Sequence, residues 1–447
     1  MFLASHGESS TVGVRARQRS GGQRGRRRAI KPVRLVGLMR PRGRFPRFRW
    51  GVWAGLAVVA AALAYVVFAL VRSVPGPTVS PAARSGTFAG RAPRPAWPRQ
   101  GEVAVGVQGV GVIDSHGSRR PTPIASLAKV MAAYVVLRDH PLHGGAGGPQ
   151  IIVSRADVAV YRSDVGAGQS VVAVRAGERL TERQALEGLL LPSGNNIATL
   201  LARWDAGSER AFVARMSAQA RALGLLHTRY RDASGARAGT VSTAVDQLRL
   251  AIHAIEIPAF RQTVAMAQAT LPVAGRQYNK DTLLGKSGIV GIKTGTTSRA
   301  GACFMFAARE HLGRRSTTVV GAVLHQPTGR ALSIASAFHA TTTLLASTRR
   351  VLVTRRVIKR GATLAWIKVP WADQVALRAG GPVSLRGWPG LRVHTSIATP
   401  HNLHAPINAG QDVGTAVVSA GEQRARVQLV AVRTIPSASV TWRLAHP

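Results

Sequence analysis

Ser126 and Lys129 are the first residues whose types and spacing suggest chemistry. Three positions apart on a helix, they share one face, which brings a hydroxyl within reach of an amine. The segment is SLAKVMAAYVVLRDH, and from Leu127 to Leu137 it is apolar on every side apart from Lys129. An ammonium buried in such a helix is costly unless it is paired or loses its proton. A neutral lysine, its pKa lowered by burial and a nearby second cation, can take the serine proton. Ser126 is then a nucleophile and Lys129 its general base, with the helix N-terminus favouring developing negative charge. Alone, Ser-x-x-Lys also arises by chance.

Two further groups follow. A helix opened by Thr181 and Gln184, a T-x-x-Q capping box, carries Leu186, Leu189, Leu190 and Leu191 and ends at Pro192. Ser193, Gly194 and Asn195 come next, before a second helical stretch from Asn196 to about Trp204. Taken singly, Ser-Gly-Asn is also what a turn between two helices needs. Lys293, Thr294 and Gly295 lie in SGIVGIKTGTTSRAGACFMFAAR, where two apolar runs flank a polar turn as in an antiparallel hairpin. The chain has seven Lys against 53 Arg, so a lysine here is chosen over the common cation. An ammonium beside a hydroxyl and a glycine suits a carboxylate receptor, and a strand-end lysine before a turn is the structural alternative. Ser-x-x-Lys, Ser-x-Asn 67 residues on and Lys-Thr-Gly 100 beyond that fall on helix, loop and strand. That order is the serine acyl-enzyme signature of penicillin-binding proteins and class A β-lactamases.

With these motifs in place, the chain resembles the D-alanyl-D-alanine carboxypeptidases among the low-molecular-mass penicillin-binding proteins. The segments carrying the likeness are PIASLAKVMAAYVVL, LLLPSGNNIATLLA, GSERAFVARMSAQARALGL with HTRYRDASG, VSTAVDQLRLA and GIVGIKTGTTSRAGACFMFAA. The likeness extends over roughly 101–433. It implies an α/β (α+β) catalytic domain of the serine β-lactamase and penicillin-binding-protein type, an antiparallel sheet with helices, followed by a small all-β C-terminal domain. It also implies removal of the terminal D-alanine from peptidoglycan stem peptides through an acyl-enzyme on Ser126, with β-lactams as acylating inhibitors. Lys129 would be the base, Ser193 a proton relay and Asn195 the group orienting acyl donor and lysine. Lys293, Thr294, Gly295 and Thr296 would bind substrate, the Ser126 and Thr296 amides holding the oxyanion. No cofactor and no metal is implied. The chain departs from the family at Ala132 or Ala133, where Thr is common, and at Asn279 with Asp281, where an Asn pair is frequent. Neither departure is expected to touch the chemistry.

A β-lactamase of class A needs a Glu to activate the deacylating water. Asp205, Glu209, Asp232, Asp246, Glu256 and Asp281 are the acids between the second and third motifs, and none sits in a Glu-x-x-Leu-Asn context. Slow release of penicillin is therefore expected. A transpeptidase differs only in the acyl acceptor and stays open as a reading. A catalytically idle wall- or membrane-binding protein is disfavoured, because binding an anionic polymer needs no such set as Ser126, Lys129, Ser193, Asn195 and Lys293.

The elements that position these residues occupy part of a 447-residue chain with 46% hydrophobic and 18% charged residues, ordinary proportions for globular domains. Its net charge of +41 is uneven, with fourteen Arg and Lys and one acid in residues 1–50. That stretch, without apolar periodicity, is expected to be a disordered cytoplasmic tail. Residues 51–71 carry no charge, and at about 1.5 Å per residue they span a hydrocarbon core of about 30 Å. The basic side precedes them, so a membrane helix at 51–72 with the remainder outside the cell is expected. The tail then suits anionic lipid headgroups better than nucleic acid. A Pro-rich stretch, 73–100, is expected to be an extended spacer. The catalytic part is expected over 101–350, opening with a strand near Val103 to Ile113 and a turn at Gly117. Alternating runs such as Thr363 to Val369 and Arg426 to Val432 mark a β-rich part over 351–435. The final residues, 436–447, are expected to be a tail without an amphipathic helix, which leaves anchoring to residues 51–71. His401 and His404 are expected in a loop, and Cys303, the single cysteine, as a packed small residue.

Overall fold

The structure is a computed structural model that describes residues 48–82, 85–313, 315–329, 332–400 and 402–446. The basic tail and His401 therefore lie outside the described residues. The chain divides between residues 69 and 70 into two compact units. Toward the N-terminus, Phe48–Val71 forms a 24-residue helix, and its Trp50–Val71 portion, with mean hydropathy 2.6, is long and apolar enough to cross a membrane.

In the second unit, a five-stranded antiparallel sheet runs in the order Ile289–Thr297, Gly301–Leu312, Arg315–Gln326, Glu102–Val107, Gly111–His116. Helices cover both faces. On one face Ala335–Arg349 packs against Phe304, Phe306 and Val319. On the other lies the larger core, centred on the helix Ala128–Asp139. Every residue of that helix from Ala128 to Leu137 is buried, as a sequence apolar all round requires. Helices Glu182–Leu190, Asn195–Ala206, Glu209–Ala222, Ala244–Glu256 and Pro258–Val264 surround it.

Local sequence explains several boundaries. Thr181 Oγ1 accepts from the Gln184 amide at 3.2 Å, and Gln184 Oε1 accepts from the Thr181 amide at 3.0 Å, so the capping box forms as expected. The single strand expected near Val103 to Ile113 is instead two. Glu102–Val107 and Gly111–His116 pair through a turn at Gln108–Val110, where Gly109 has φ +68° and the Val110 amide donates to the Val107 carbonyl at 3.0 Å. A glycine in that region accepts the left-handed turn, so apolar alternation alone misses the break.

The strands after residue 353 gather mainly in a seven-stranded antiparallel sheet, with Thr363–Val369 as read from sequence. It has its own core of residues such as Ile367, Leu377, Val418 and Leu429. The Pro-rich run is not a free spacer. Thr78–Pro81 adds to one edge of this sheet beside Thr363–Val369, and Gly86–Thr87 pairs with Arg392–Ala398 at the other. Proline is tolerated at sheet edges, so a proline-rich extended chain suits an edge strand as well as a spacer. The expected C-terminal tail carries a six-residue helix, Val440–Ala445, capped by Ser439, whose Oγ accepts from the Trp442 amide at 3.1 Å. His404 is exposed outside the strands, and Cys303 is fully buried, its thiol pushed up to about 12 by burial.

Candidate active site

Ser126 sits in a single 3-10 turn, Ala125–Leu127, that runs straight into the helix carrying Lys129. Ala125 holds φ +46°, a strained region for a residue with a side chain. Lys129, completely buried, reaches back along the helix face, and its Nζ donates to Ser126 Oγ at 2.8 Å. The same ammonium position donates to Asn195 Oδ1 at 2.5 Å and to the Ser234 carbonyl at 3.1 Å. Burial lowers the Lys129 pKa well below the ordinary lysine value, and the charge of Lys293 pushes it the same way.

Asn195 begins the helix Asn195–Ala206, which fixes its side chain between two partners. Its Oδ1 faces Lys129, and its Nδ2 donates to Gln169 Oε1. Ser193, two residues earlier, has φ +70° and is 3% exposed. Its Oγ is buried without a hydrogen-bond partner among the described residues, so Ser193 flanks the network without joining it.

The strand Ile289–Thr297 lies at the edge of the five-stranded sheet and passes against the Ala125–Leu127 turn. Gly295 permits this approach, because a Cβ there would stand 2.9 Å from the Ser126 amide nitrogen and 3.2 Å from the Ala125 Cβ. Lys293 is 1% exposed, and its Nζ donates to the Thr294 carbonyl at 3.0 Å. Burial, reinforced by the charge of Lys280, lowers its pKa to about 7, while Asp281 acts the other way. Thr294 is buried, and Thr296 is partly exposed.

The structure thus brings Ser126, Lys129 and Asn195 into one hydrogen-bonded network and Lys293 and Gly295 against it, with four groups that sequence motifs do not reveal. The Ser234 carbonyl, Gln169, Asp232 and Lys280 complete the surroundings, and Lys280 Nζ donates to Ser170 Oγ at 2.7 Å. A backbone carbonyl carries no residue-type signal, whereas Lys280, one of only seven lysines, could have been noticed by its scarcity. The departure at Asp281 is not remote from the site. This acid is 4% exposed, burial raises its pKa to about 6, and it interacts electrostatically with Lys293. Among the described residues, no cluster of three or more His, Cys, Asp or Glu is placed to hold a metal ion.

Residues 98–324 match the family described as D-alanyl-D-alanine carboxypeptidase. A D-alanyl-D-alanine carboxypeptidase of Mycobacterium tuberculosis, DacB2, is 35% identical over 51% of this chain and 76% of its own length. Another of Bacillus subtilis, DacF, is 28% identical over 56% of this chain, and the match spans 65% of that relative, just under two thirds. In architecture the chain is similar to penicillin binding protein 5 from Haemophilus influenzae. The likeness has a TM-score of 0.55 at 19% identity and covers 78% of this chain and all of that one.

Proposed function

The chain belongs to the D-alanyl-D-alanine carboxypeptidase family of serine peptidases, and on that premise we propose that Ser126 opens the bond between the last two D-alanines of a peptidoglycan stem peptide. The observation that carries this reading is the 2.8 Å contact of Lys129 Nζ with Ser126 Oγ in a site that favours the neutral amine. Neutral Lys129 takes the hydroxyl proton as Oγ attacks the carbonyl carbon. The amides of Ser126 and Thr296 receive the oxyanion. As the C–N bond breaks, the departing D-alanine amine takes up the proton that Lys129 removed from Ser126, passed on by the Ser193 hydroxyl, which has no other hydrogen-bond partner among the described residues and turns toward the amine once substrate is bound. Asn195, gripped by Lys129 and Gln169, orients the acyl group. Water then attacks the ester and returns Ser126.

Lys293 and Thr294 receive the substrate's terminal carboxylate. Lys293 makes no ion pair with a carboxylate among the described residues, which supports a site kept for an incoming one. The outer edge of Ile289–Thr297 offers backbone groups to the extended peptide. β-Lactams acylate Ser126 by the same attack.

Residues 101–350 carry this reaction, and the β-rich part over 351–435, with the two edge strands it recruits, serves as a spacer or interaction module. The apolar helix holds the protein in the cell membrane by a single pass, with the catalytic part outside and residues 1–50 beside anionic headgroups inside.

The test is D-alanine release from a synthetic peptide ending in D-Ala-D-Ala, with the full chain in detergent and Ser126→Ala as control. Release that requires Ser126 is expected. A folded, penicillin-reactive protein that releases none would overturn the hydrolytic reading in favour of transfer to an amine.

A further inference from the structure

Lys129 has a third hydrogen bond that none of the three motifs supplies, to the Ser234 carbonyl at 3.1 Å. That carbonyl belongs to a turn built around Asp232, a carboxylate 3% exposed. Asp232 Oδ2 accepts from Ser234 Oγ at 2.7 Å and from the Ala236 amide at 2.8 Å, and Oδ1 accepts from Thr240 Oγ1 at 2.5 Å. No Arg, Lys or His lies within ion-pair distance of it among the described residues. Its three close partners, two hydroxyls and one amide, are all donors from one stretch of chain between residues 234 and 240, which a carboxylate's acceptor oxygens satisfy.

The same turn touches the nucleophile. Gly235 has φ +80°, and a Cβ there would stand 1.8 Å from the Ala125 carbonyl oxygen, so the two backbones meet directly. The turn therefore abuts the residue before Ser126 and bonds the amine that serves it. A displacement of either contact moves Nζ relative to Oγ.

Four charged side chains act on Lys129. Lys293 on the edge strand and Lys280 in the loop before it favour its neutral form. Asp232, and less strongly Asp164 on the helix Arg155–Gly166, favour the ammonium. Asp164 is more exposed, so solvent screens it more than Asp232.

We propose that Asp232 is a positioning residue for the acylation step: it clamps the Ser234–Ala236 turn, aims the Ser234 carbonyl at Lys129, and sets its carboxylate on the same turn that bonds the base. This rests on Lys129 being the base. A charge that favours the ammonium limits the neutral fraction at low pH. Removing it extends acylation toward acid while loosening the turn.

The experiment measures the second-order rate of acylation by a fluorescent penicillin between pH 5 and 10, using the full chain in detergent. Wild type is compared with Asp232→Asn, Asp232→Ser and Ser234→Ala. For both Asp232 variants the acidic limb is expected to move down by about one pH unit, while the plateau falls about tenfold. Ser234→Ala, which keeps the charge and loses one clamp bond, is expected to lower the plateau with the limb unmoved. Asp232 variants whose rate falls equally at every pH would overturn the proposal, as would failure of both to fold by circular dichroism, since Asp232 would then be structural only. A wild-type chain that is not acylated at Ser126 would overturn the underlying reading as well, and is told apart because it needs no Asp232 variant.

Discussion

Lys129 and Lys293 are both buried and close enough to interact electrostatically, yet the proposed reaction needs them in opposite protonation states. Lys129 must be neutral to accept a proton, and burial together with Lys293 drives it that way. Lys293 must be charged to hold a carboxylate. Its pKa of about 7 means that the empty site carries this charge below pH 7 and loses it above. The kcat/KM for a D-Ala-D-Ala peptide should therefore fall as pH rises above about 7, whereas kcat should hold to higher pH because bound carboxylate keeps the ammonium charged. A pH profile of both constants checks this, and a kcat/KM flat from pH 7 to 10 would refute it. Lys293→Ala should lower kcat/KM by about 10- to 100-fold, the worth of a charge-assisted hydrogen bond, with the thermal midpoint little changed. These two lysines were legible in the sequence because type and setting disagreed: a cation in an apolar helix, and a Lys where Arg is the common choice. Asp232 and the Ser234 carbonyl were not, because their contribution depends on which backbone the fold brings against Lys129.

At the scale of elements, the site depends on the edge strand passing close to the nucleophile turn, and Gly295 is where the two meet. Gly295→Ala places a methyl group 2.9 Å from the Ser126 amide nitrogen and 3.0 Å from Leu127 Cδ1. Backbone cannot yield as a flexible side chain would, so strand and turn must separate. The expected cost in stability is about 1–3 kcal/mol. Acylation should suffer more than stability does, because the group displaced is the Ser126 amide, the proposed oxyanion donor. Penicillin acylation rate and thermal midpoint, measured on the same preparation, check this, and a variant that loses stability but acylates at the wild-type rate would contradict it. The hairpin containing this glycine and the capping box at Thr181 were readable because their signals are local. The break between Val107 and Gly111 was obscured because Val107 and Val110 flank the Gln108-Gly109 pair and keep the apolar run going. The pairing of Thr78–Pro81 was invisible because its partner strand lies almost 300 residues away in sequence.

Across the whole molecule, the run between the apolar helix and the catalytic sheet is part of the C-terminal sheet before the chain enters the five-stranded sheet. Phe88 fastens it: the side chain is 3% exposed in the C-terminal core, its amide donates to the Leu391 carbonyl at 2.9 Å, and its carbonyl accepts from the Gly390 amide at 2.8 Å. The C-terminal part also touches the part built on the five-stranded sheet, since the Glu422 amide donates to the Val110 carbonyl at 3.1 Å and Arg386 Nη1, from the strand Val383–Gly387, donates to Thr317 Oγ1 at 3.0 Å. Residues 73–100 thus act as a strap across the sheet rather than as a loose tether, and a protein cut back to residue 101 would lose both edge strands. Phe88→Ala removes the largest buried side chain of the strap from a packed site, and such truncations cost about 3–5 kcal/mol. The loss should fall on the C-terminal sheet, while Ser126, Lys129 and the five-stranded sheet keep their own core. Hydrogen exchange should therefore quicken in Arg392–Ala398 and Asp412–Ala420, with protection in Ala128–Asp139 and the rate of penicillin acylation held near wild type. Equal loss of protection in both halves would show instead that the two sheets unfold as one unit, with the strap stabilising the catalytic site as well as the sheet it edges.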